Sequence, residues 1–197
     1  EYIKPSSKNR NFDELFGRGL ALLHSSFTEK YGLEYNNFIA KSMQPNGNYS
    51  NWADFYREQR LAPLIKMAKK KHLIDSKLNK LFDKLFDKLP DLVGPTEKPS
   101  RLHGDLWSGN IHTDHRGEPC LIDPAVYAGH REIDIAMIEL FGSFNSRALS
   151  SYNEVYPLEK NFTERIRLYQ IYPLLVHLNL FGSSYYHNLY RAVKQYT

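Results

Sequence analysis

The sequence predicts a mainly α-helical fold with one small β-hairpin near its middle. Apolar residues recur at helical spacing over most of the chain. A single turn-rich tetrapeptide, Asp114-His115-Arg116-Gly117, is flanked by two short apolar runs. A length of 197 residues suits one domain, 1–197, with a core that needs no covalent staples. Apolar residues at 42% and charged residues at 24% exclude a disordered or collagen-like chain.

Each element has its own signal. Phe12, Leu15, Phe16, Leu20, Leu22 and Leu23 predict a helix over 11–25. Segment 31–50, rich in Asn, Gly, Pro and Ser, reads as an irregular loop. Trp52 to Lys71 reads as a helix that Pro63 ends or kinks near Ala62. Leu73, Leu78, Leu81, Phe82, Leu85, Phe86 and Leu89 form an amphipathic stripe opposite a run of Lys and Asp. Pro90, Gly94, Pro95 and Pro99 then mark a linker. Ile111–Thr113 and Pro119–Ile122 form the hairpin. From Ile133 onward the pattern gives two or three helices carrying Tyr169, Tyr172, Tyr185, Tyr186 and Tyr190, read as core packing or as part of a cleft wall. The chain divides into a linker (1–10), a helical part (11–100), a loop and hairpin (101–127) and C-terminal helices (128–197).

Composition narrows the partners. No apolar run approaches the roughly 18 residues of a membrane span, so no membrane partner is expected. The single Cys120 excludes a disulfide scaffold and a multi-Cys zinc site. With the need for ATP argued below, it points to the cytoplasm. A net charge of +4 suits an anionic ligand without calling for nucleic acid. Lys66, Lys69, Lys70 and Lys71 read as a solvated helix face, with a phosphate-binding patch as the sharper alternative.

The chemistry gathers around the hairpin. Asp105 and Asn110 lie five apart on the loop Leu102-His103-Gly104-Asp105-Leu106-Trp107-Ser108-Gly109-Asn110. The hairpin that begins at Asn110 closes at Asp123, so the two are brought together. One carboxylate and one amide oxygen can hold a hard divalent cation such as Mg²⁺. Asp105 stays free beside them to accept a proton from an attacking hydroxyl. That is the arrangement of a protein-kinase catalytic loop. The plainer alternative makes all three turn or cap residues. His103 reads as a support of the loop. A metal cluster of His103, His112, His115 and His130 is the weaker reading, having neither Cys nor a zinc-helix motif.

The wording of these segments is more specific than their spacing. His103 to Asn110, then Ile122-Asp123-Pro124-Ala125, then Gly129-His130-Arg131-Glu132-Ile133-Asp134 and Glu139-Leu140-Phe141-Gly142 closely resemble the fructosamine (ketoamine) kinase family. That family is related to aminoglycoside phosphotransferases and choline kinases. Trp52 to Leu61 resembles a further family helix, and Glu1-Tyr2-Ile3 resembles the hinge strand between two lobes. The resemblance implies the C-terminal lobe of a protein-kinase-like (aminoglycoside phosphotransferase-like) α+β fold, with the N-terminal lobe absent. It implies ATP-dependent phosphorylation, with Mg²⁺, of a sugar hydroxyl on a small ketoamine or a glycated protein.

Carried over by position, Asp105 is the catalytic base, and Asn110 and Asp123 are the metal ligands. Glu1, Tyr2 and Ile3 offer backbone groups to adenine. His103 and Asp134 support the catalytic loop. Trp107, and less directly Trp52, Asp54 and Arg57, face the substrate. The family's glycine-rich loop and strand lysine are not found; Gly17-Arg18-Gly19 falls inside a helical pattern. The expectation is therefore a large-lobe fragment with little activity alone, open to self-association through apolar surface that a small lobe would cover. A pseudokinase-like binding module and a choline or aminoglycoside kinase relative are the alternatives.

Overall fold

The computed structural model describes residues 2–142 and 144–197, and its core is built around one helix that is buried on nearly every side. Phe12, Phe16 and Leu20 line up at four-residue steps and fold as α1 (Phe12–His24), with Asp13 and Glu14 in its positive first turn and His24 in its last. The stripe opposite Lys and Asp becomes α4 (Ser76–Leu92), capped by Asp75, whose carboxylate accepts from Leu78 N at 2.7 Å. Its buried residues are Leu78, Phe82, Leu85 and Leu89. Pro90 lies inside this helix rather than in a linker, in the last turn and on the solvent side.

Segment 31–50 is not an irregular loop. It holds β1 (Tyr31–Gly32), β2 (Asn37–Ile39), β3 (Ser42–Gln44) and β4 (Asn48–Tyr49). These strands are too short to show an alternating pattern, and their Asn and Gly content reads as turns. β1 pairs with β4 and, through Gly32, with β8 (Tyr127–Gly129), which pairs in turn with β5 (Ser100–Leu102). The result is an antiparallel sheet of order β4-β1-β8-β5. β2 and β3 form a hairpin of their own, as do β6 (Ile111–Thr113) and β7 (Pro119–Leu121). The fold thus carries more β-structure than the one hairpin the sequence predicts.

The helix expected over Trp52–Lys71 is continuous but changes pitch. α2 (Trp52–Phe55) passes into a π-helical stretch, Tyr56–Leu61, and then into α3 (Ala62–Lys70). Pro63 stands in the first turn of α3, where its missing N–H costs little. The C-terminal third has four helices instead of two or three: α5 (Glu132–Leu140), α6 (Ser146–Val155), α7 (Phe162–Phe181) and α8 (Tyr186–Lys194). In α7 every residue from 168 to 176, Tyr169 and Tyr172 among them, is buried. An apolar surface on all sides marks a central helix.

α1 lies against α6 closely enough that a Cβ on Gly17 would meet the carbonyl of Ala148 at 2.1 Å. Glycine is required there by the approach of two backbones. Arg18–Glu154 and Arg147–Glu14 ion pairs close the rim of this contact.

Candidate active site

The loop 103–110 leaves β5 and is fixed by its main chain. Asp134, near the start of α5, accepts from His103 N at 2.7 Å and from Gly104 N at 2.9 Å. Its carboxylate also receives His24 Nε2 at 3.2 Å, and His24 Nδ1 meets Tyr152 Oη at 2.8 Å. Asp134, His24 and Tyr152 are buried. Burial alone would raise the Asp134 carboxyl pKa. The His24 hydrogen bond and charge, the nearby His103 and the Gly104 amide outweigh it and hold the pKa below the usual carboxylate range.

Gly104 has φ +81°, and a Cβ there would meet the carbonyl of Ala125 at 2.1 Å. That contact brings the loop onto the strand following the hairpin. Ala125 N donates to His103 O at 2.9 Å and Ile122 N to Asn110 O at 3.0 Å. His103 Nε2 donates to Ile122 O at 2.9 Å, while its Nδ1 accepts from Asp105 N at 3.3 Å. The imidazole therefore ties the loop to the hairpin's return strand.

Asn110 is buried and its amide group closes the loop. Nδ2 donates to Asp105 O at 2.8 Å and to Asp105 Oδ2 at 3.3 Å, and reaches Asp123 O at 3.5 Å. These bonds leave Oδ1 without a partner among the described residues. Asp123 has φ +51°, a left-handed backbone that a non-glycine residue adopts at a cost. Its carboxylate is exposed and makes no hydrogen bond or ion pair among the described residues. An unengaged carboxylate and an unengaged amide oxygen on adjoining backbone fit the hard oxygen donors of Mg²⁺. Burial raises the Asp105 pKa; His103, the Asn110 hydrogen bond and His177 pull it back only in part.

Aromatic rings line the region beside Asp105. Trp107, 40% exposed, meets Phe141 edge-on at 6.1 Å. Phe141 lies 5.0 Å from the His177 ring, which packs on Phe181 at 5.4 Å and Tyr185 at 5.0 Å. His177 Nδ1 donates to Pro173 O at 2.8 Å, leaving Nε2 as an acceptor. A reading of the sequence misses His177, because a histidine in the apolar run Leu175-Val176-His177-Leu178 looks like a core residue. Only the helical phase of α7, anchored on Phe141, singles it out.

Other expected residues stand elsewhere. Trp52 lies in the aromatic core. It is buried, stacked among Phe55, Tyr56 and Tyr31, and its Nε1 donates to Tyr169 Oη at 3.1 Å. Asp54 is exposed, and Arg57 pairs with Glu58 at 3.1 Å. The buried charged residue of that helix is Arg60, in the π-helical stretch. Its guanidinium lies 3.8 Å from the Tyr127 ring and donates to Pro45 O and Asn46 Oδ1. Tyr127 in turn flanks Gly104.

Tyr2 and Ile3 form no strand; Tyr2 is exposed, and Ile3 O accepts from His112 Nε2 at 3.3 Å. Glu1 lies outside the described residues. The histidine metal cluster is not formed: among the described residues no three His, Cys, Asp or Glu side chains are grouped for a metal. Lys71 Nζ is drawn to Asn179 O at 2.7 Å, while Lys66, Lys69 and Lys70 are exposed. No described helix is long and apolar enough to cross a membrane.

With this geometry in view, similarity to known proteins is decisive. The sequence model of the family described as fructosamine kinase matches residues 1–197. The chain belongs to the fructosamine kinase family. A probable ketoamine kinase of Lactiplantibacillus plantarum is 39% identical over 91% of the chain and 65% of its own length. One from Enterococcus faecium is 36% identical over 94% of the chain and 66% of its length. The mouse ketosamine-3-kinase is 36% identical over 86% of the chain and 54% of its length. The chain thus spans less than two thirds of the length of these curated relatives.

A crystal structure of a candidate fructosamine-3-kinase from Thermobifida fusca superposes with a TM-score of 0.94 at 36% identity, over 99% of this fructosamine kinase family chain and 68% of the other. A choline kinase from Streptococcus pneumoniae shares the fold at a TM-score of 0.55 and 19% identity. The kinase-like, aminoglycoside phosphotransferase-like architecture is therefore established, and membership lies with the fructosamine kinases and not with the choline kinases.

Proposed function

We propose that the chain carries the phosphoryl-acceptor side of an ATP-dependent kinase that phosphorylates a sugar hydroxyl of ketoamines. The observation that supports it most is the Asn110 amide, which binds the main chain and carboxylate of Asp105 and reaches the backbone of Asp123. Asp105 accepts the proton of the sugar hydroxyl as its oxygen attacks the terminal phosphoryl group of ATP. Its pKa, raised by burial, makes it a stronger base than an exposed aspartate. Asn110 Oδ1 and the Asp123 carboxylate are the groups that would hold Mg²⁺, which when bound neutralises phosphate charge. Main-chain bonds to Asp134 fix where Asp105 stands. Trp107, Phe141 and His177 offer ring faces to the apolar C–H side of a sugar, and Nε2 of His177 can accept from one of its hydroxyls.

Holding the phosphates of ATP calls for a glycine-rich loop and a strand lysine. The assay therefore compares the chain alone with a fusion that supplies the part of a curated ketoamine kinase it does not cover. Both are incubated with ATP, Mg²⁺ and a panel of fructosyl-amines, choline and aminoglycosides. The fusion is expected to phosphorylate ketoamines and to be the faster of the two. Turnover of choline or an aminoglycoside alone refutes the substrate class.

A further inference from the structure

Arginine pairing in this protein is uneven. Arg18, Arg57, Arg116, Arg131, Arg147 and Arg165 each meet a carboxylate at 2.6–3.3 Å. Arg10, Arg60, Arg101, Arg167 and Arg191 meet none among the described residues, and of these Arg167 and Arg191 stand together. Arg167 Nη1 donates only to the Gln170 amide oxygen at 3.2 Å, and Arg191 Nη2 only to that of Asn188 at 3.0 Å. Both line one groove of about 440 Å³, together with Leu140, Asn188, Ala192 and Gln195. No acidic side chain lines it.

Two of its lining residues lie close in sequence to the rings grouped around His177. Leu140 directly precedes Phe141, whose ring packs near Trp107 and His177. Asn188 comes three residues after Tyr185, another neighbour of His177. Asn188 and Arg191, three residues apart, share one face of α8, and Gln195 follows four residues on at its C-cap. At 1.5 Å per residue, Arg191 stands about 9 Å along the chain beyond Tyr185. When a sugar is carried on a lysine Nζ, four methylenes separate its amine from the backbone, a span of the same order.

We propose that this groove receives a carboxylate on the amine-bearing part of the substrate. The protein then favours ketoamines of amino acids or of acidic peptides over ketoamines of plain amines. This rests on the ketoamine-kinase reading and names the part of the substrate that points away from Asp105. Two guanidiniums engaged only by neutral amides keep free N–H donors, and their fork matches a carboxylate. Both arginines are exposed, so the attraction is moderate and weakens with salt.

The test uses three substrates with the fusion: fructosyl-lysine with a free carboxylate, its N-acetylated amide without one, and a blocked peptide with aspartate beside the fructosyl-lysine. In the Arg167→Gln/Arg191→Gln variant, KM for the two carboxylate-bearing substrates is expected to rise about tenfold, the scale of two partly screened pairs. KM for the amide is expected to stay unchanged, and Arg191→Lys to restore part of the preference. A preference for the peptide assigns the carboxylate to an acidic side chain, and the reverse assigns it to the α-carboxylate; either supports the proposal. Equal effects on all three substrates, or no effect, overturn it. If no ketoamine is phosphorylated at all, the kinase reading has failed. The groove is then judged by calorimetry with the same three ligands. Carboxylate-selective binding lost in the double variant sustains it, and unselective or absent binding overturns it.

Discussion

His24 Nε2 lies 3.2 Å from the carboxylate of Asp134, and neither side chain has any exposure to solvent. The pair joins the end of α1 to the start of α5. Through the other two bonds of the carboxylate it holds His103 and Gly104 in place. Asp134→Ala would leave two loop amides and the His24 imidazole without their acceptor. Removing one member of a buried charged network costs about 3–5 kcal/mol. At roughly 2–4 °C per kcal/mol for a domain of this size, the melting temperature should fall by about 6 °C or more. Calorimetric or circular-dichroism melts check this.

The same residue sets a pH dependence of stability. Its folded pKa is below the unfolded value, so ionised Asp134 stabilises the folded state at neutral pH. That contribution should decline once the pH falls below about 4, the unfolded aspartate value, and vanish below the folded pKa. Urea unfolding at a series of acid pH values should show Asp134→Asn losing less stability on acidification than the parent chain.

Asp105→Asn in the fusion should reduce kcat by two to four orders of magnitude, roughly the worth of a general base, with nucleotide binding retained. Because burial raises the Asp105 pKa, kcat/KM of the parent should fall on the acid side at a higher pH than an exposed aspartate would give. A pH–rate profile measures the position of that limb. A limb at or below the ordinary carboxylate pKa would contradict the assignment.

His177→Ala removes a ring that touches Phe141, Phe181 and Tyr185 and leaves Pro173 O without its imidazole donor. Its expected signature is a KM for ketoamine raised about tenfold or more with KM for ATP unchanged, since a lost polar contact to substrate is worth about 1–2 kcal/mol. Equal changes in both constants would indicate damage to the loop. His177→Gln, which keeps an acceptor, should recover part of the loss.

Gly104→Ala places a methyl group 2.1 Å from Ala125 O at a φ of +81°. The strained backbone costs on the order of 1–3 kcal/mol. Loop 103–110 must shift to relieve it, so activity should fall further than stability. Gly142, also at positive φ but with open space around its Cβ position, is the control: Gly142→Ala should cost backbone strain alone.

The loop and its hairpin were legible because their chemistry is local: His103 to Asn110 and the return to Asp123 sit within one short stretch of sequence. Helices with one apolar face, such as α1 and α4, were legible from their stripes. The short strands 31–49 were not, because their pairing is long-range and their composition matches turns. The surroundings of Trp52 are illegible for a related reason. An aromatic in an amphipathic helix carries no mark saying which neighbour it meets, and here it meets Tyr169. His177 and Arg60 depend on which helix packs where, and nothing in their immediate sequence carries that information.

The four anchors of the 103–110 loop's tether, His24, Gly104, Asp134 and Tyr152, come from separate elements of the chain. His24 lies in the first half of the chain and Asp134 and Tyr152 in the second, so the tether is complete only when α1, α5 and α6 have docked. A loop held this way is expected to lose order only when that docked body opens. Amide exchange at Gly104 should thus be as slow as that of the most protected core amides, despite its place in a turn.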